Sequence, residues 1–253
     1  MFTTNPFTPL TDFISPGIMQ GYVVLMILAV AFGTLFDVYH KRSGEYFARR
    51  RRKADAAARR RLTSGELASL ALKTLGTEVA AAGEFCKWER QVSHLFMFYG
   101  FIIYLITTAA MVFVYATAPE TPVVVTALWD LGALMVVIGG VWFFFLLRVN
   151  VAYEGHSPFH LMHADLFIGS LIASTALGLV WHFSQSAMGG GSVGSLVLFA
   201  VYVFFTTLLF VSVPWSKFAH MFYKPAAAFQ KRVEEATGAT DLPAPADVQN
   251  IRR

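Results

Sequence analysis

The sequence predicts an all-α integral membrane protein, a bundle of five transmembrane helices with its N-terminus outside and its C-terminus inside. Three observations lead there. Of 253 residues, 56% are hydrophobic and only 14% charged, and the mean hydropathy is +0.54, far from an average soluble domain. Five runs are apolar and long enough to cross a hydrocarbon core about 30 Å thick, which takes about 20 helical residues. Lys and Arg collect in alternate loops, which marks those loops as cytoplasmic.

The runs cover about 17–39, 92–115, 123–147, 164–183 and 195–222. The N-terminal stretch "MFTTNPFTPLTDFISP" lacks the positive n-region and small-residue cleavage site of a secretory signal, so the first run is expected to persist as a true span. Between the first two spans, loop 40–90 carries "RRRRKADAAARRR", Arg49 to Arg61. Placing it inside sets the topology, and Arg148, Lys217, Lys224, Lys231 and Arg232 then also fall on the inner side. The basic run reads as a solvated helix, a contact with anionic lipid or a docking surface for a cytoplasmic partner. Nucleic-acid binding does not follow, because topology already accounts for the charge. Leu62 to Trp88 reads as an amphipathic helix along the inner interface. Residues 231–253 read as a polar cytoplasmic tail, disordered or partner-bound. No repeat at transporter spacing is visible, which disfavours a transporter.

The single cysteine, Cys86, excludes an internal disulfide and leaves histidine as the basis for any metal site. There are seven histidines, and a histidine in a span tends to mark a functional site. His94, in "ERQVSHLFMFYGF", lies near the inner start of the second span; His220, in "VPWSKFAHMFYKP", lies near the inner end of the fifth. Two histidines at matched depth on antiparallel helices suit the two axial positions of a b-type heme. A bare transition-metal ion accepts the same pair as a weak site, and each histidine alone is equally an interfacial residue satisfied by a neighbour. Arg90 and Lys217 are candidate partners for the heme propionates. Gly100 is expected to leave room for a flat ring, Phe96, Phe98 and Phe218 to line it, and Pro214 to bend the last turns of the fifth span.

At these residues the chain resembles the gamma-subunit family of respiratory nitrate reductases and the related membrane subunits of heterodisulfide-reductase-like and sulfur-metabolism complexes. "SKFAHMFYKP" is similar to the end of that family's fifth helix, "ADLFIGSLIASTALGLV" (Ala164 to Val180) to its fourth and "RQVSHLFMFYGF" to the start of its second. Nearest within it are the membrane subunit associated with adenylylsulfate reductase and the membrane domain of the quinone-interacting membrane-bound oxidoreductase complex. The resemblance implies a multi-pass subunit of a bacterial-type cytoplasmic (inner) membrane, with heme b between the second and fifth helices. Electrons would pass between a cytoplasmic iron–sulfur or flavin oxidoreductase, adenylylsulfate reductase among the choices, and the quinone pool. Diheme members carry a further histidine ten residues along the second helix and another eighteen before the inner ligand of the fifth; here these positions are Tyr104 and Tyr202. One heme is therefore expected, on the inner side, with aromatic packing in place of the other. His182, the only outer histidine, is then an interfacial polar residue or a lone ligand.

His156, His160 and His163 share the third inner loop, with Asp165 at the membrane entrance. They fit a quinone-headgroup and proton-uptake site, a metal site, or plain interfacial histidines. Asp165 needs a partner if buried, with Arg148 or His160 in reach, or is a helix N-terminal acid favoured by the dipole. His40 is expected to snorkel. A reading from another class is a redox-silent membrane anchor that recruits a soluble enzyme through the basic loop and tail.

Overall fold

The computed structural model describes residues 4–83, 85, 87–118, 120–148, 161, 165–216 and 220–239, the side chain of His220 excepted. The helices are α1 (Pro16–His40), α2 (Ser43–Ala57), α3 (Ser64–Thr74), α4 (Trp88–Ala109), α5 (Val123–Trp142), α6 (Leu166–Met188), α7 (Val193–Val211) and α8 (His220–Thr237). π-helical turns extend α3 over Leu75–Ala80, α4 over Ala110–Val114 and α5 over Phe143–Leu147. Five of these elements, α1, α4, α5, α6 and α7, are long and apolar enough to cross a membrane. The chain forms two compact units, Met1–Asp37 with Glu84–Ala219 and Val38–Gly83 with His220–Arg253.

In the first unit α4 and α5 run antiparallel along a seam of small residues. A Cβ on Gly100 would stand 2.7 Å from the Gly132 carbonyl oxygen, and one on Gly132 would stand 2.8 Å from that of Gly100. Seven residues away on each helix, a Cβ on Gly139 would meet the Ser93 carbonyl at 2.8 Å, while the Ser93 hydroxyl donates to the Gly139 carbonyl at 2.9 Å. Where lipid removes the hydrophobic drive between helices, such close backbone approach supplies the attraction. Gly100 thus serves helix–helix contact with α5, which corrects the expectation that it opens space for a flat ring.

Toward the other end, Trp129 and Trp181 are fully buried, with Tyr104, Tyr202, Phe7 and Met111 around them. Phe7 meets both indoles edge-on. Polar ties hold the N-terminal segment and α1 to this layer: Asn5 Nδ2 donates to the Met111 carbonyl at 3.3 Å, Gln185 Nε2 to that of Pro6 at 2.9 Å and Gln20 Nε2 to that of Val112 at 3.2 Å. α6 and α7 share a Ser174–Thr206 hydroxyl bond of 2.7 Å, and their connection turns at Gly189, whose φ of +81° suits glycine. Ser192 then caps α7 by accepting from the Ser195 N–H.

The fifth span is shorter than expected. α7 ends at Val211, residues 212–215 form turns, and the helix that begins at His220 belongs to the second unit. Pro214 has no N–H, and its ring collides with a carbonyl of the preceding turn; the chain breaks there instead of bending, and an apolar run does not reveal it.

In the second unit the basic loop pairs chiefly with α8. Arg50 binds Glu234 of α8 in bidentate fashion, both bonds 2.7 Å. Arg232 reaches Thr77 and Glu78 at 2.6 Å each, and Arg60 joins Glu66 at 2.7 Å and the Ala236 carbonyl at 2.9 Å. Thr63 and Glu66 form a capping box at the start of α3. Residues 231–237, expected in a polar tail, are therefore helical and paired with the loop's arginines.

Candidate functional site

His94 stands in the second turn of α4, half-buried. Its imidazole lies 5.1 Å from the Phe85 ring and 6.2 Å from that of Phe98, nearly parallel to the latter at 14°. Phe98 thus stacks along this histidine, whereas Phe96 packs its Cβ side against α5 at Gly139. Arg90, one turn earlier, donates through Nη2 to the Leu147 carbonyl at 2.9 Å. That bond caps the end of the third span and uses one of a guanidinium's five N–H donors. His220 opens α8, and its side chain, like Lys217, His156, His160, His163 and Phe218, lies outside the described residues. Among the described residues no three His, Cys, Asp or Glu side chains converge as a metal site; an axial heme pair requires only two.

Asp165 and Arg148 form a buried ion pair, their side chains 9% and 7% exposed. The Arg148 guanidinium also lies over the Phe144 ring, 4.3 Å from its centroid. Of the partners weighed for Asp165, Arg148 is observed and His160 lies outside the described residues; Asp165 makes no side-chain cap on α6.

Tyr104 and Tyr202 meet across α4 and α7, the Tyr104 hydroxyl donating to that of Tyr202 at 3.0 Å. Tyr104 stacks on Trp129 at 4.9 Å and Tyr202 on Trp181 at 5.8 Å. Gly178 of α6 leaves the room: a Cβ there would stand 2.7 Å from the Tyr104 oxygen. Aromatic packing fills the level of Tyr104 and Tyr202.

His182 is buried and paired. It is 4% exposed, and its Nδ1 lies 2.8 Å from Asp130 Oδ1 on α5. His182 Nε2 and Asp130 Oδ2 are both buried with no hydrogen-bond partner. The Trp129 ring meets the imidazole edge-on at 5.7 Å. Asp130 carries a signal in the sequence that the histidines overshadow, since "ALWDLGAL" places a carboxylate well inside an apolar span.

No protein family, curated protein or solved structure matches this chain.

Proposed function

We propose that this chain is the membrane electron-transfer subunit of a quinone-linked oxidoreductase, holding one heme b between His94 and His220. The observation that carries the reading is the Tyr104–Tyr202 hydroxyl bond. It brings the second and fifth spans face to face, the helix pair between which the resembled family holds its heme, at a level occupied by aromatic rings. His94 is ten residues from Tyr104 on the same helix, about 15 Å along its axis.

The residues on hand suit the group in part. His94 offers an imidazole in an aromatic setting, and Arg90 offers guanidinium hydrogens one turn away toward the helix start. Heme, when bound, supplies a one-electron iron couple. The chain's own part is to ligate through His94 and His220, to pair the propionates through Arg90 and Lys217, and to exclude water with Phe85 and Phe98. The distribution of Lys and Arg supports an N-terminus-out, C-terminus-in topology, in which this end of the bundle would face the cytoplasm of a bacterial-type inner membrane. There a soluble iron–sulfur or flavin partner, adenylylsulfate reductase being one choice, docks and exchanges electrons bound for or drawn from the quinone pool. His156, His160, His163 and Asp165 are retained as the candidate quinone and proton site, with Asp165 oriented by Arg148.

The test is the visible spectrum of purified protein. A dithionite-reducible b-type absorption is expected, lost or strongly altered in His94→Ala and His220→Ala and retained in His182→Ala. Protein with no such absorption refutes the heme and leaves the redox-silent anchor.

A further inference from the structure

We propose that His182 and Asp130 form a proton-binding site inside the helix bundle, holding one shared proton at rest and exchanging it with water at the nearer end of α6. The proposal does not depend on the heme. Both residues lie on helices of membrane-spanning length and hydropathy, and their side chains are 3% and 9% exposed. Without a shared proton the pair carries one net negative charge in an apolar layer, which is costly. With one, it is neutral, whether written as imidazolium and carboxylate or as imidazole and carboxylic acid.

In either neutral form Nδ1 and Oδ1 share the hydrogen of their 2.8 Å bond, so Nε2 carries a hydrogen and is a donor while Oδ2 is an acceptor. Those two atoms are the ones left without partners. Of the six buried side-chain atoms without a partner among the described residues, four belong to Asp130, His182, Trp181 and Ser195. Three of them, on Trp181, His182 and Ser195, fall at the end of α6 and the start of α7, a polar stretch of the kind that ordered water bridges, and Asp130 reaches His182 from α5. His182 is six residues from Met188, the last residue of α6, about 9 Å of helix. A proton therefore has a short path to the aqueous edge.

The titratable groups facing the pair are Tyr104 of α4, which interacts electrostatically with Asp130, then Tyr202 of α7 bonded to it and Tyr22 of α1 beyond Tyr202. The N-terminal segment contributes the apolar Phe7 against Trp129 and Trp181. The reaction is proton binding alone: the anionic pair takes H⁺ from water and becomes neutral, and no electron moves.

The test is infrared difference spectroscopy of the full chain in lipid nanodiscs, titrated from about pH 3 to about pH 9, which brackets the ordinary range of both side chains. Wild type should show a carboxyl band that changes with pH, either an acid carbonyl that shifts in D₂O or a carboxylate stretch perturbed by protonation of the imidazole. Asp130→Asn should lose it, and His182→Gln should move its midpoint by at least one pH unit. Should Asp130→Asn fail to fold, Asp130→Glu decides: a displaced band supports the site, and an unmoved one overturns it. A wild-type spectrum with no pH-dependent carboxyl band, or a band that persists unchanged in Asp130→Asn, also overturns it.

Discussion

The packing at Gly178 yields the sharpest prediction, because a single atom is responsible for it. An alanine Cβ at 178 would stand 2.7 Å from the Tyr104 hydroxyl oxygen, about 0.7 Å inside the 3.4 Å at which ordinary contact begins, while Trp129 and Tyr202 carbons lie at a tolerable 3.4 Å. Tyr104 cannot swing aside, since it is 5% exposed, stacked on Trp129 and bonded to Tyr202. Overpacking by one methyl in such a site costs about 1–3 kcal/mol, and loss of the hydroxyl bond adds about 1 kcal/mol. Tyr104→Phe removes the offending oxygen, so Gly178→Ala should cost less than about 1 kcal/mol in that background. The coupling in the double-mutant cycle should be at least about 1 kcal/mol and up to about 3 kcal/mol, measured by equilibrium unfolding in mixed micelles and by thermal melts. Equal destabilisation by Gly178→Ala in both backgrounds, or none in wild type, would refute the assigned contact.

Two further predictions concern charge. In the second unit, Arg50 holds the Glu234 carboxyl below its ordinary range through their hydrogen bonds, and the Thr63 N–H, with Arg60, lowers Glu66 from 4.5 to about 2. A carboxyl lowered by folding contributes stability that is complete above its unfolded pKa and is lost as pH falls through the folded one. Helicity followed by circular dichroism should thus be flat above about pH 5 and fall between pH 4.5 and about 2, and Glu66→Gln together with Glu234→Gln should flatten that fall. Arg148→Met strands the buried Asp165 carboxylate and should cost about 3 kcal/mol or more. Adding Asp165→Leu should recover most of it, whereas additive losses would deny the pair. The heme and proton-site experiments above complete the set.

Much of the bundle was legible because crossing lipid demands long apolar helices, and hydropathy reports that demand directly. α1, α4, α5 and α6 lie within a few residues of the expected spans. The fifth differs at Val211, where an apolar run continues past a residue that cannot continue the helix. Gly100 was misassigned since a glycine in a span makes room equally for a cofactor or for a neighbouring helix; the Gly132 carbonyl decides which. Tyr104 and Tyr202 were noted as substitutes for histidine, but their mutual bond crosses 98 positions of sequence.

By itself, the sequence determined the class of solvent and the number of crossings, both of which depend on composition summed over some twenty residues and need no knowledge of neighbours. It also singled out His94 and the tyrosines. The tertiary structure alone decided what each polar residue in a span faces. Asp130 and His182, 52 residues apart, become a 2.8 Å pair, and Arg50 and Glu234, 184 apart, close the second unit. Burying an ionisable group is costly unless a partner reaches it, and which partner does so depends on helix register, a property of the packed bundle that no single segment contains.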